Sequence, residues 1–246
     1  MPSIIMRNLV RRAVPLGFRQ EIARMRRLSL DRKLGIKFAR GRGGSEWPVS
    51  TELSQPIVPS AVFEAKLSNL RRGAALVDMN LIEPGGIWSF WDRIGKPTER
   101  NGFTAGRNIV GDRLVLQTGG GLCQLSSLLY HLALLGGLEI IERHHHSIDI
   151  YREEERFTPL GADATVMWGY KDLRLRNPFE SAIGVGCRVE GDRLYGEIRS
   201  ERPLLERRIS FTHESIGRDR VCVRTMVDDV PIGTAEYIRR QGLELA

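Results

Sequence analysis

The sequence predicts an α+β protein: a central cysteine-bearing helix packed on an antiparallel β-sheet, behind a basic helical extension. Apolar residues recur at helical spacing in two stretches of the first half, within 60–80 and between Cys123 and Gly136. After Leu138, short strand-like runs take over, punctuated by glycine turns. Helices first and strands afterwards is the pattern of helices laid on an antiparallel sheet. The composition agrees: 246 residues, 41% hydrophobic and 27% charged, exclude a disordered or fibrous chain. No apolar run approaches the roughly 20 residues a membrane-spanning helix needs.

Residues 1–44 form the extension. Residues 1–42 hold twelve Lys or Arg against two acids, a net +10, whereas the whole chain is +7. The basicity therefore belongs to the arm, and the remainder is slightly acidic. Ile5, Leu9, Leu16, Ile22, Met25 and Leu28 are interspersed with arginines, which predicts one or two amphipathic basic helices broken near Pro15. Such an arm fits packing on the domain with a solvated basic face, an anionic membrane surface, or nucleic acid. Nucleic acid is the poorest fit, because no aromatic-interleaved or helix-turn-helix pattern accompanies the charge. Gly41-Arg42-Gly43-Gly44-Ser45 reads as a linker.

The main domain spans 45–199. Phe63, Leu67, Leu70, Ala74 and Val77 predict a helix within 60–80, followed by a turn at Pro84-Gly85-Gly86. A loop through Gly95, Pro97 and Gly102 leads to a short strand at 113–117. Leu125, Leu128, Leu129, Leu132 and Leu135 mark one apolar side of the central helix, which Gly136-Gly137 stops. Strands are expected at 138–142, 146–151, 164–168, 173–176, 183–189 and 194–199, with Gly191-Asp192 as a hairpin turn. Residues 200–246 add a β extension with strands at 209–212 and 221–227. An odd set of three cysteines (Cys123, Cys187, Cys222) suits a reducing compartment. Arginines interrupt the N-terminal apolar stretch before it resembles a secretory signal. A cytoplasmic location is expected, peripheral to the inner membrane face if the arm meets lipid.

One constellation can carry chemistry. GGGLCQLSSLLYHLALLGG (119–137) places Cys123 at a helix start, where free N–H groups and the helix dipole favour a thiolate. An unassisted thiol titrates near ~8.5 and is mostly protonated at neutral pH. The loop Gly119, Gly120 and Gly121, the Cys123 amide, Gln124 and Ser126 are candidate oxyanion or anion donors. ERHHHSIDIY (142–151) supplies His144, His145 and His146, and strand alternation puts His144 and His146 on one face. Either can serve as the base of a thiol–imidazole pair. Asp163, or Asp172, is placed to orient that base. Cys, His, Asp on helix, strand and strand is the order of papain-like and transglutaminase-like folds.

Other arrangements stay open. A glycine run opening a helix also suits a bound anion, with the histidines and Arg143 as cationic contacts. It is not a P-loop, since the Gly-Lys-Ser/Thr ending is missing. Cys123, His144 and His146, with Asp163 or Glu142, make a possible zinc set, although no CxxC or HExxH spacing supports it and no cofactor is expected. Trp88, Trp91 and Trp168 suit either a pocket or the core. Cys187 and Cys222 read as packing residues.

The stretch from about residue 66 to 199 resembles the VanW family. The matching pieces are Asn69 with Ala74-Ala75, NLIEPGGIWSF from Asn80 to Phe90, Ile94-Gly95 and Asn101-Gly102-Phe103. The most specific are GGGLCQLSSLLYHLALLGGLEIIERHHHS and GADATVMWGYKDLRLRN. The resemblance implies a bacterial cell-envelope or vancomycin-resistance accessory protein without a defined reaction. Where the family pattern after the cysteine reads Gln-Val-Ser-Thr-Thr, this chain has Gln124-Leu125-Ser126-Ser127-Leu128. The family's variable position between two histidines falls on His145, which leaves His144 and His146 as candidates. Family members often lie outside the membrane behind a signal or anchor, and this sequence departs from that.

Together these expectations describe a cysteine-dependent acyl-transfer or amide-hydrolysis site acting on a peptide or peptidoglycan-related substrate. Cys123 is the nucleophile, His146 or His144 the base and Asp163 its orienter. The alternative is a non-catalytic module that binds an anionic cell-wall fragment or precursor.

Overall fold

The computed structural model describes residues 14–110, 113–151 and 156–240. Ile5 and Leu9 of the arm lie outside them. The architecture is α+β with mainly antiparallel sheets, which among the described residues number four rather than one. Among the described residues no helix is long and apolar enough to cross a membrane.

Helix α1 (Leu16–Lys33) begins directly after Pro15, where the ring-fixed φ suits a helix entry. Its orientation reverses the expected amphipathic packing. Gln20 and Asp31 are its buried residues, whereas Phe18 and Met25 are 62% and 60% exposed. The polar side makes the contact because the domain offers ionic partners there. Arg174 clamps Asp31 with bonds of 2.7 and 2.8 Å, Arg27 donates to Glu142 at 2.5 Å, and Lys96 donates to Glu21 at 2.6 Å.

Strand β1 (Gly41–Arg42), in the segment read as a linker, instead pairs with β3 (Asn80–Ile82). With β2 (Val49–Pro56), β10 (Ile183–Glu190) and β11 (Arg193–Ser200) they form a five-stranded sheet ordered β1-β3-β10-β11-β2. Gly191 turns the β10–β11 hairpin as expected, with φ +57°. Helix α2 (Phe63–Val77) packs on this sheet and buries Leu67, Leu70, Ala74 and Val77. Gly73 brings it close to α4 (Leu122–Leu135): a Cβ there would meet the Leu125 side chain at 2.8 Å. The small helix α3 (Phe90–Ile94) follows β4 (Ile87–Ser89).

Helix α4 is enclosed on most sides rather than one. Leu122, Leu125, Leu128, Leu129, Leu132 and Leu134 are each no more than 3% exposed. At about 1.5–3 kcal/mol for each buried leucine, this helix anchors the core and fixes the position of the cysteine at its start. It stops at Gly136-Gly137, where Gly137 takes φ +74° and the Leu138 amide reaches back to the Ala133 carbonyl at 2.8 Å.

Two expected strands near the site are largely absent. Only β8 (Ile148–Asp149) forms within 146–151, and 164–168 joins no strand, with only an isolated bridge from Met167 to Lys171 before a turn at Trp168. Side chains take the backbone groups a ladder would use. The Ala164 amide binds Ser127 Oγ at 3.0 Å, its carbonyl accepts from Ser126 Oγ at 2.6 Å, and the His146 amide binds Asp163 at 2.7 Å. β7 (Glu139–Glu142) and β9 (Arg174–Arg176) complete a three-stranded sheet with β4. The C-terminal strands β12 (Ile209–Ser215), β13 (Arg220–Val227) and β14 (Val230–Arg239) form a meander. β14 pairs in parallel with β8, which joins the C-terminal segment to the histidine region.

Candidate active site

A hairpin of β5 (Ala105–Val110) and β6 (Arg113–Thr118) delivers the chain to the glycine run. Gly119 and Gly121 adopt φ of +83° and +98°, which residues with a Cβ resist. Space is also short, since a Cβ on Gly121 would meet Lys66 Cγ at 2.8 Å. The turn consumes several amides the sequence offered as oxyanion donors. Gly119 N–H binds the Thr104 carbonyl at 3.0 Å and Gly120 N–H binds that of Gln117 at 3.1 Å. Among the described residues, the amides of Gly121 and Cys123 have no such acceptor, as is usual for the first donors of a helix.

Gln124 and Ser126 are used differently from the expectation. Gln124 Nε2 donates to the Pro56 carbonyl at 2.8 Å. Ser126 is fully buried and holds the 164 segment, as described above, so its hydroxyl ties helix to loop instead of facing the sulfur. Cys123 is half-buried, with Sγ 3.7 Å from Thr165 Oγ1 and 3.8 Å from the Val166 carbonyl.

His146 and Asp163 meet next to this sulfur. Asp163 Oδ2 accepts from the His146 backbone amide at 2.7 Å and contacts its ring Nδ1 at 2.6 Å. With Nδ1 so held, Nε2 is the ring nitrogen left for the Cys123 thiol, which shares the wall of one cavity with His146. The other carboxylate oxygen, Oδ1, accepts from Arg143 at 3.0 Å and from the Tyr237 hydroxyl at 2.5 Å. Asp163 is therefore saturated with donors, and its carboxylate is fixed in place.

The electrostatics follow from these contacts. Burial by itself pushes the Cys123 thiol up, but the His146 hydrogen bond and charge overcome it, and the thiol sits below its ordinary value. Burial likewise pulls His146 down, and the bonds to Asp163 and Cys123 reverse this, holding the imidazole at about 10. Burial would raise Asp163, yet His146 and Arg143 keep it well below the usual carboxylate range. All three shifts favour thiolate, imidazolium and carboxylate.

The remaining candidates part company with this cluster. His144 Nε2 contacts Glu142 Oε1 at 2.9 Å and faces the ion-pair network under α1. Asp172 is buried in structural bonds to Ser89, the Trp91 amide and Arg174. His145 lies against the Tyr237 ring, 5.2 Å between centroids. The zinc set is thus not assembled, and among the described residues no group of three or more His, Cys, Asp or Glu is arranged to hold a metal ion. Arg143, offered as a ligand contact, instead packs over the Tyr130 ring and binds Asp163. Tyr237 and Thr165 escaped the sequence reading. Tyr237 is 74 residues from its partner Asp163, and no local pattern marks it.

Two cavities border Cys123. The larger, about 320 Å³, is lined by His146, Asp163 and Thr165 together with Gln55, Gln124 and Thr158. The smaller, about 190 Å³, has Trp91, Trp168, Lys96 and Gln20 in its wall. Trp88, by contrast, is wholly core, with its ring N–H on Asn80 at 2.8 Å.

The family described as VanW like protein matches residues 65–199, a span that contains Cys123, His146 and Asp163. The chain belongs to the VanW family. It is 28% identical over 182 residues to "Vancomycin B-type resistance protein VanW" of Enterococcus faecalis, covering 71% of this chain and 66% of that protein. It is 31% identical over 128 residues to "Uncharacterized protein YoaR" of Bacillus subtilis, covering 52% of this chain and 41% of that one. The chain thus spans less than two thirds of either relative's length. No solved structure matches it significantly. The VanW-like span ends before Tyr237, so the donor that completes the Asp163 shell lies outside the matched region.

Proposed function

We propose that this VanW-like chain is a cysteine-dependent acyl transferase or amide hydrolase. The supporting observation is His146, held by Asp163 at 2.6 Å through Nδ1 and lining the same cavity as Cys123, whose thiol its neighbouring charge pulls down. The Cys123 thiolate attacks the carbonyl carbon of an amide. The negative charge on oxygen falls to the free amides of Gly121 and Cys123. The C–N bond then breaks, His146 Nε2–H protonates the leaving amine, and a thioester remains on Cys123. Water, or an acceptor amine, gives its proton to His146 and attacks that thioester, expelling the Cys123 thiolate, which restores the thiolate–imidazolium pair and releases the acyl product. Asp163 stays ionised and keeps the ring oriented throughout. Placed between two cavities, the sulfur can face an acyl group on one side and a leaving group on the other. This order of nucleophile, base and carboxylate parallels papain-like and transglutaminase-like enzymes. The name of the enterococcal relative directs the choice of substrate toward cell-wall peptides.

The test uses the chain's own cysteines as controls. Cys187 is buried, which pushes its thiol up, and Cys222 is half-buried. At pH 7, iodoacetamide followed by peptide mapping is expected to label Cys123 well ahead of Cys222. Cys123→Ala is expected to keep the fold and abolish hydrolysis of cell-wall peptides. Labelling of Cys123 no faster than that of Cys222 overturns the proposal.

A further inference from the structure

Strand β14 reaches the chain on both sides of the Asp163–His146 contact. Beside His146, its parallel pairing with β8 brings the Ile238 amide to the Ser147 carbonyl at 2.9 Å and the Arg240 amide to that of Asp149 at 2.8 Å. Beside Asp163, its Ala235 and Tyr237 share a small core with Leu160, Val221 and Val223. Gly161 completes the fit. It adopts φ +104°, and a Cβ there would meet Phe211 at 2.7 Å and Val223 at 2.8 Å. The segment that carries Asp163 is thus pressed onto the C-terminal meander, which lies beyond the family-matched residues 65–199.

Tyr237 also holds the carboxylate itself. A tyrosine hydroxyl has one hydrogen to donate, and a guanidinium only donates. Arg143 reaches the Tyr237 oxygen at 3.1 Å, so the hydroxyl hydrogen goes to Asp163 Oδ1, 2.5 Å away. Arg143 meets Oδ1 too, at 3.0 Å, while His146 occupies Oδ2 with its amide and its ring Nδ1. These contacts fill the roughly four lone-pair sites of a carboxylate. Arginine–carboxylate pairs favour two parallel bonds. Without the hydroxyl on Oδ1, the carboxylate turns toward that arrangement with Arg143 and takes Oδ2 away from the ring.

We infer that the C-terminal meander is part of the site and that Tyr237 is a positioning residue, whose hydroxyl aims Asp163 at His146; this rests on Cys123, His146 and Asp163 acting together as proposed above. The meander then contributes to the chemistry without touching the substrate, by orienting the group that orients the base.

Tyr237→Phe removes the hydroxyl and keeps the ring. Alkylation of Cys123 by iodoacetamide is followed from about pH 5 to about pH 10 on the full chain. Val223→Ala is the companion variant, because it thins the same small core and removes no polar group. The other charged residues lining the two cavities are Lys66, Asp149, Arg156 and Lys96, and both variants leave them in place. With Asp163 turned away, the imidazolium loses support and the thiol rises. In Tyr237→Phe the midpoint of the profile is expected to move up by about half to one pH unit, which slows alkylation on the acid limb about three- to tenfold. The plateau above the midpoint should change by no more than about twofold, because access to the sulfur is unaltered. Val223→Ala is expected to lower the melting temperature at least as much and to leave the profile in place.

A Tyr237→Phe profile that coincides with the parent's, or moves down, overturns the inference. An equal displacement in Val223→Ala does so as well, since it makes the contact merely structural. In these cases, fast labelling of the parent's Cys123 relative to Cys222 leaves the nucleophile standing. Slow labelling in the parent itself overturns the acyl-transfer reading and the role of Tyr237 with it.

Discussion

His144 and His146 are two residues apart, and each contacts a carboxylate, yet they belong to different parts of the molecule. His146 takes Asp163 and borders the 320 Å³ cavity that Cys123 also lines. His144 takes Glu142, whose other oxygen already serves Arg27 at 2.5 Å and Arg174 at 3.3 Å. Residue spacing alone would set both rings on one face. The chain between Glu142 and Ile148 is not in a ladder, so alternation does not bind it. Having a carboxylate partner does not set the two histidines apart; the cavity shared with Cys123 does, since His146 lines it and His144 does not.

The sharpest way to break the comparison is to remove each carboxylate. Asp163→Ala strips the counter-ion from buried Arg143 and leaves the His146 amide and the Tyr237 hydroxyl without their acceptor. A loss of about 3–5 kcal/mol in urea unfolding is expected. Glu142→Ala leaves Arg174 with Asp31 and Asp172, and Arg27 with the Tyr170 carbonyl. Its expected loss is smaller, about 1–2 kcal/mol. Equal losses would mean that the two pairs are equivalent structural ties.

The next effect is on the thiol. In His146→Ala, Cys123 keeps its burial, which pushes the thiol up, and loses the hydrogen bond and charge that lowered it. Its alkylation at pH 7 should slow by roughly 10–30-fold, the thiolate fraction lost when a thiol returns to its ordinary range or above. An unchanged rate would leave the helix start as the sole activating device.

The pH dependence of stability sharpens the same point. A histidine held at about 10 in the fold, against 6.5 ordinarily, lends stability that is full below 6.5 and fades as pH rises toward 10. A lowered thiol works oppositely, lending stability above its ordinary 9.0 that fades as pH falls through its folded value. Between 6.5 and 9.0 the proton kept by His146 is countered wherever Cys123 sheds one, so the wild type should vary less with pH than either group alone would dictate. Cys123→Ala removes one side of that balance. Its stability should decline across this range while the wild type's stays flatter, as read by urea midpoints at pH 6.5 and 9. Parallel curves would show that the two groups do not share a proton equilibrium.

Local pattern made part of this legible. The leucine spacing of α4, its glycine stop and the Gly191 hairpin are set by neighbours in sequence, and they form as expected. Cys123 at a helix start follows from the same stretch. What was not legible depends on distant partners. The inward face of α1 is chosen by Glu142 and Arg174, which lie 115 and 143 residues from Arg27 and Asp31. The strand expected at 164–168 is replaced by bonds to the hydroxyls of Ser126 and Ser127, whose reach a propensity argument does not contain. The Gly119 and Gly120 amides were offered to a ligand, but the turn itself claims them.

The smallest expected effect is also the most discriminating. His144→Ala removes one of several groups on Glu142, whose burial raises it but whose bonds from His144 and Arg27 hold it at about 2. Arg27, Arg174 and the Asp172 amide remain to satisfy that carboxylate. Since the ring is more than a third exposed and its partner keeps two guanidiniums, the loss should be about 0.5 kcal/mol or less. Cys123 alkylation should change less than about twofold, because His144 lies outside both cavities that border the sulfur. A slowing as large as that of His146→Ala would place both rings on one functional face after all, and would return the strand-alternation reading of this segment.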